Sequence, residues 1–319
     1  MALSKPVQYA LNLLYGDGLL IIDICGIVGD YCKWFQGVCE KTLCTNVEVR
    51  QIVALQNGNL AWSSNDCDVR VCDPTSDPQL LTLSGHTNTV YSLAALDNAI
   101  FASGSNDGTV RVWDSDTGVC LSCFQGHTAC VTALVQLRDN KLAAGYYDNT
   151  LHIWDLKTGT CLMNLVGHAH AVMNLVMLSD GRLASGSYDG TVRLWDTATG
   201  ACLSVLEHPC SVWALTALHN GKLASGSSDG TVRVWDVDVG KCLHVTSCHP
   251  SGVFSLATLQ DNHLVSSSGD KTTREWDTDT GEHVRTVYEE HANYLWSLSV
   301  TRDGKLATAS NHGKIQIWY

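Results

Sequence analysis

Residues 167–206 read GHAHAVMNLVMLSDGRLASGSYDGTVRLWDTATGACLSVL, and the fold follows from this stretch. Val172 to Leu178 is an apolar run suited to an innermost strand, and Ser179-Asp180-Gly181 closes it with a turn signal. Arg182 to Ser187 gives a second strand. Tyr188-Asp189-Gly190 makes a tight hairpin turn, after which Thr191 to Trp195 alternates as a third strand with Val192 and Leu194 on one face. Thr197 to Gly200 turns again, and Cys202 to Leu206 supplies a fourth strand. Neither face of such a sheet is polar enough to stand in water, so neighbouring copies must cover both.

The copies are present. A His stands at His86, His127, His168, His208, His249 and His291, each followed 27 positions later by Trp113, Trp154, Trp195, Trp235, Trp276 or Trp318. The period runs 41, 41, 40, 41 and 42 residues, the range of a propeller blade. Because the His-to-Trp interval is constant, all variation falls between one Trp and the next His. Each unit has a rigid body and one adjustable outer segment. Arg111, Arg193, Arg233 and Arg274 recur two residues before the Trp, on its face of the strand, which marks them as architecture with buried stems.

Gly-His pairs at Gly85-His86, Gly126-His127 and Gly167-His168, with Trp-Asp at Trp113-Asp114, Trp154-Asp155, Trp195-Asp196, Trp235-Asp236 and Trp276-Asp277, resemble the WD-repeat (WD40-type) β-propeller family. The resemblance covers roughly residues 37 to 319. It implies a buried tetrad per blade linking His, a second-strand Ser or Thr, the turn Asp and the Trp indole. The matching sets are His86, Ser103, Asp107 and Trp113; His168, Ser185, Asp189 and Trp195; His208, Ser225, Asp229 and Trp235; and His249, Ser266, Asp270 and Trp276. Buried imidazole, indole N–H and carboxylate each need a partner, so the set is physically sensible in itself. A His–Asp–Ser set also suggests a catalytic triad, but its recurrence from blade to blade makes it structural.

Two units depart from the pattern. Ala144 replaces the Ser in the His127 unit, leaving His127, Asp148 and Trp154 without the middle hydroxyl, and His312 replaces the Asp beside His291, Thr308 and Trp318. The latter blade is expected to be the weaker, pH-sensitive one. Counting back from Trp113 and Asp107 reaches Cys72 and Asp66, which defines a degenerate first blade from about Val47 to Leu83. Trp62 takes its Ser place and Thr45 or Asn46 its His place, so packing alone is expected to hold it.

The chain runs out at Trp318-Tyr319, after a third strand, while Gly37 to Leu43 matches the outer-strand pattern of Gly118 to Phe124. The expected fold is therefore all-β: a seven-bladed β-propeller of four-stranded antiparallel blades, closed by an N-terminal strand that completes the last blade. Residues 1–36 form an extension outside the repeats, and residues 37–319 form the propeller.

The net charge of −12 repels phosphate backbones and anionic membranes and disfavours direct nucleic-acid binding. An acidic rim favours basic peptides, or serves solubility alone. Of 14 cysteines, Cys120, Cys161, Cys202 and Cys242 recur on separate blades, too far apart to bridge. With no N-x-S/T acceptor in the chain, a reducing compartment is expected, the cytoplasm or the nucleus. Charges and glycines interrupt the apolar run from Leu11 to Val28, so neither a membrane span nor a signal peptide is expected.

No phosphate-cradling, dinucleotide or zinc-peptidase signature occurs, and no cofactor is expected. His168-Ala169-His170 and Cys248-His249 resemble metal pairs, but His168 and His249 belong to tetrads, so no metal is expected. Candidate partner contacts are residues that vary at fixed registers. Before the turn Asp stand Asn106, Tyr147, Tyr188, Ser228 and Gly269; five after the His stand Tyr91, Thr132, Met173, Trp213, Phe254 and Trp296. By family analogy the face carrying the hairpin turns is the partner surface, with His170 beside it. The plainer alternative for the strand aromatics is that they line the core.

The leading function is a non-catalytic scaffold that binds short segments of other proteins on its top rim, within a larger assembly. The alternative is the substrate receptor of a ubiquitin ligase. Asp30-Tyr31-Cys32-Lys33-Trp34 faintly resembles the end of an F-box, but no Trp-Asp is followed by x-Arg. A third class, an enzyme, requires polar residues that break the symmetry at one point, and His291 with His312 is the one such pair.

Overall fold

The computed structural model describes residues 39–45, 47–75, 81–247, 249–259, 263–288 and 294–318. The extension over 1–36, the fragment Asp30 to Trp34, and Asn46, Cys248 and His291 lie outside them.

Seven four-stranded antiparallel sheets are arranged as blades in ring order. Blades 1 to 6 span residues 49–83, 90–124, 131–165, 172–207, 212–247 and 253–288. Blade 7 takes three strands from 295–318 and its outer strand, Cys39–Cys44, from the other end of the chain. That strand pairs antiparallel with Lys314–Trp318, with Thr42 opposite Gln316 and Leu43 opposite Ile315, and Thr45 N–H donates to the Gly313 carbonyl at 2.6 Å. The expected closure is therefore present.

Core is built between blades. Val110, Val112 and Phe124 of blade 2 meet Val131, Leu142 and Trp154 of blade 3 in one buried cluster. Across the seam, Ala307, Ile315 and Ile317 of blade 7 meet Val49, Ile52 and Trp62 of blade 1. Around the channel, third-residue side chains tie inner strands together. Gln51 Oε1 accepts Leu93 N–H at 2.6 Å, Ser297 Oγ accepts Ile52 N–H at 3.1 Å, and Ser255 Oγ accepts Leu298 N–H at 3.1 Å. One hairpin also presses on the next blade. A Cβ at Gly230 (φ +80°) would lie 2.0 Å from the His249 carbonyl oxygen, so the turn admits only glycine.

Blade 1 corrects one expectation. Packing is not its only tie, because Arg70 Nη1 donates to Ser64 Oγ at 2.7 Å and its other terminal nitrogen pairs with Asp66. Trp62 fills the vacated Ser site as a buried apolar body, so the polar network moves outward to the turn.

Candidate functional site

In blades 2, 4 and 6 the tetrad is complete. Trp113, Trp195 and Trp276 donate their indole N–H to Ser103, Ser185 and Ser266 at 2.7, 2.8 and 2.9 Å. Those hydroxyls lie 2.7, 2.7 and 2.8 Å from Nε2 of His86, His168 and His249, whose Nδ1 atoms lie 3.0, 2.8 and 2.9 Å from Asp107, Asp189 and Asp270. Since the indole occupies the serine oxygen as acceptor, the hydroxyl proton goes to Nε2. That leaves Nδ1–H to donate to the carboxylate, with a neutral imidazole. Burial holds these histidines below their ordinary pKa despite the adjacent carboxylate. Burial raises the Asp107 carboxyl, but hydrogen bonds from Thr109 and Thr87 outweigh it and bring it to about 2. The connectivity is that of a hydrolytic triad, yet each serine is 0% exposed and its oxygen already accepts an indole N–H. No substrate reaches it.

Blade 5 departs from the expected tetrad. Trp235 and His208 both reach Ser225, at 2.7 and 2.8 Å, but Asp229 bonds to Ser227 and Thr231 instead of His208. Pro209, which follows His208, has no N–H to hold the carboxylate as Thr87 and Ala169 do in blades 2 and 4; in blade 6, where Pro250 takes the same place, Arg274 donates to Asp270 at 3.4 Å instead. Buried without its Asp, and with Arg233 nearby, His208 drops to a pKa of about 4.

Blade 3 replaces the missing hydroxyl. Tyr146 OH accepts Trp154 N–H at 3.2 Å, and the Tyr146 ring stacks on His127 at 4.2 Å. In blade 7 the Trp318-to-Thr308 bond is present at 3.1 Å, and His312 is exposed on its turn.

The residues in which the repeats differ come together at one end of the channel. In every blade the register slips at the second residue of the innermost strand, as between Val131 and Ala133 or Val212 and Ala214. A bulge there turns one side chain out of the sheet alternation. The seven residues so placed are Arg50, Tyr91, Thr132, Met173, Trp213, Phe254 and Trp296, and all seven line one cavity of about 890 Å³ at the turn end of the channel. The plainer alternative, burial in the core, is thereby replaced. Asn106, Tyr147 and Tyr188 join them from the hairpin turns. His170 does not line the cavity, but stands perpendicular to Tyr188 with ring centres 5.5 Å apart.

The two registers complement each other in size. Tyr147 and Tyr188 stand over the blades that carry Thr132 and Met173. Where the bulge residue is a large ring, the turn residue is small, as at Ser228 and Gly269. The result is asymmetric. Trp213, Phe254 and Trp296 stack across blades 5 to 7 with centres 5.4 and 5.0 Å apart. A Cβ at Gly252 would fall 2.3 Å from Trp213 Cζ3, so that loop is shaped around the indole. Beyond Trp296 the ladder ends in a cation, with the Arg50 guanidinium 5.1 Å from the Trp296 ring centre and 5.7 Å from that of Tyr91. Across the mouth, Tyr147 is 56% exposed. Arg50 and Asp148 are the charged side chains lining the cavity. Arg50 is absent from the sequence-derived candidates, although counting back 41 positions from Tyr91 reaches it.

Comparison with known proteins places these observations. The family model "WD domain, G-beta repeat" matches residues 77–114, 118–155, 159–196, 200–236, 240–277 and 281–319. The crystal structure of the WD40 beta propeller domain of Doa1 superposes with a TM-score of 0.80 at 21% identity, over 88% of this chain and 96% of that one. That likeness concerns the fold alone. No curated protein matches the chain.

Proposed function

Since this chain belongs to the WD40 repeat family, whose propellers generally bind other proteins, we propose that it is a non-catalytic scaffold holding a short segment of a partner protein across its channel mouth. The observation that carries this reading is the ring of bulge residues. A fold that buries its repeated aromatics in tetrads leaves the unrepeated ones, Trp213, Phe254 and Trp296, half-buried beside Tyr147 and Tyr188. Large rings around a concave, partly desolvated site are the composition of a binding hot spot.

The net charge of −12 supports a protein partner over nucleic acid, and the cysteine and glycosylation pattern supports the cytoplasm or nucleus. Residues 37–319 act as the scaffold, with 1–36 as a separate extension. The test is affinity purification from cells with mass spectrometry, comparing the parent with a Tyr147→Ala/Tyr188→Ala double variant of equal melting temperature. Loss of a defined set of partners is expected, and an unchanged partner list removes the mouth from consideration. Recovery of cullin-type ligase subunits would turn the assignment toward a ubiquitin-ligase receptor.

A further inference from the structure

Taking the mouth as the partner site, we infer that it selects segments in which an Asp or Glu side chain lies close to a large apolar side chain. Arg50 receives the carboxylate, and the Trp213–Phe254–Trp296 ladder receives the apolar group. Of the seven bulge residues six are uncharged, and the single cation sits at the end of the aromatic ladder. Its position is prepared in advance. Arg50 Nε donates to Asn65 Oδ1 at 2.6 Å, the Asn65 amide in turn bonds Glu48, and the guanidinium carbon lies 5.7 and 5.1 Å from the Tyr91 and Trp296 ring centres.

Glu48 approaches one terminal nitrogen no closer than 3.7 Å, and Nη1 makes no bond to the described residues. A guanidinium tethered at Nε, with terminal N–H groups available, is a preorganised receptor for a planar carboxylate. Phosphate dianions are gathered by clusters of arginine. Here one arginine stands alone, with Glu48 beside it and Asp148 the other charge on the cavity wall. One cation, partly offset by Glu48 and sharing the cavity with Asp148, can take no more than a single negative charge. The Arg50 fork and the neighbouring Trp296 face set the carboxylate and the apolar side chain within about three residues of each other, a span of about 10 Å.

The probe is a random peptide library displayed with both ends fused, so that no free C-terminal carboxylate is offered, and selected on the full chain. Enriched sequences should pair Asp or Glu with Phe, Trp, Leu or Met. The best peptide and its Glu→Gln (or Asp→Asn) counterpart are then titrated by tryptophan fluorescence against the parent and Arg50→Gln. Either change alone should weaken binding about tenfold, and both together should weaken it no further. The peptide-side substitution leaves the protein untouched, so the result does not depend on Arg50→Gln folding normally.

A basic consensus, an absence of acidic preference, or additive losses overturns the inference. If the enriched peptides bind Tyr147→Ala/Tyr188→Ala and Trp213→Ala as tightly as the parent, the mouth itself is the wrong surface. Peptides lost by those variants but indifferent to Arg50→Gln overturn only the carboxylate assignment. Failure to enrich any peptide counts against both.

Discussion

Replacing Ser185 by Ala removes one oxygen from the center of blade 4. That oxygen accepts Trp195 N–H at 2.8 Å and links His168 Nε2 at 2.7 Å, in a site with no solvent exposure. The substitution strands two buried polar groups at about 1–3 kcal/mol each, so a loss of roughly 2–6 kcal/mol is expected. At about 2–4 °C per kcal/mol for a domain of comparable size, a mid-range loss lowers the melting temperature by roughly 8–16 °C. Calorimetry at neutral pH measures it. The paired control is Ala144→Ser, which adds a hydroxyl where Tyr146 already holds the Trp154 indole. This variant buries one unmatched hydroxyl and should lose about 1–3 kcal/mol, less than Ser185→Ala, which strands two groups. A Ser185→Ala protein that melts with the parent, or an Ala144→Ser protein that falls as far, refutes the claim that the shared hydroxyl stabilises the blade.

Other outcomes follow from the same geometry. His86, His168 and His249 are held below their ordinary pKa by burial, and His208 is brought from 6.5 to about 4. Below about pH 6.5 the unfolded chain therefore binds protons that the folded chain refuses. Stability present at neutral pH is then lost progressively toward pH 4, and a melting temperature unchanged between neutrality and that range contradicts the assignment. Deleting residues 37–43 removes most of the strand that closes blade 7, at about 1 kcal/mol per lost hydrogen bond. Size-exclusion chromatography should show aggregation or an expanded chain, and an unaltered elution and melting curve excludes the closure. Gly252→Ala drives a methyl group into Trp213 and should shift tryptophan fluorescence and weaken the binding of mouth-selected peptides; unchanged binding would remove the aromatic ladder from recognition.

Periodic residues were legible in the sequence because a repeat states the same physical requirement several times. The His-to-Trp spacing placed the blades, and the Gly37 to Leu43 pattern placed the closing strand. Single departures were harder to read. Ala144 signalled a missing hydroxyl, but Tyr146 supplies it from two residues away, through a side chain long enough to reach the indole. His208 matched the tetrad pattern, but Asp229 turned to Ser227 and Thr231, and the proline after the histidine does not mark this, since Pro250 follows His249 in the complete blade 6. The bulges were invisible, since strict alternation assigns Trp213 and Phe254 to a sheet face, and only the paired strand reveals the extra residue that turns them to the channel. The degenerate first blade was placed by counting back from Trp113 and Asp107, but without a His at its start nothing drew attention to the register of Arg50.

Repeated residues build the ring, and the proposed recognition surface is the set of bulge and turn residues at the channel mouth. Hydrogen–deuterium exchange on the chain with a captured partner tests this most directly. Protection concentrated in the inner-strand segments around Arg50, Trp213, Phe254 and Trp296 and in the Tyr147 and Tyr188 turns is predicted. Protection confined to the outer strands, with the mouth exchanging as in the free chain, would contradict it.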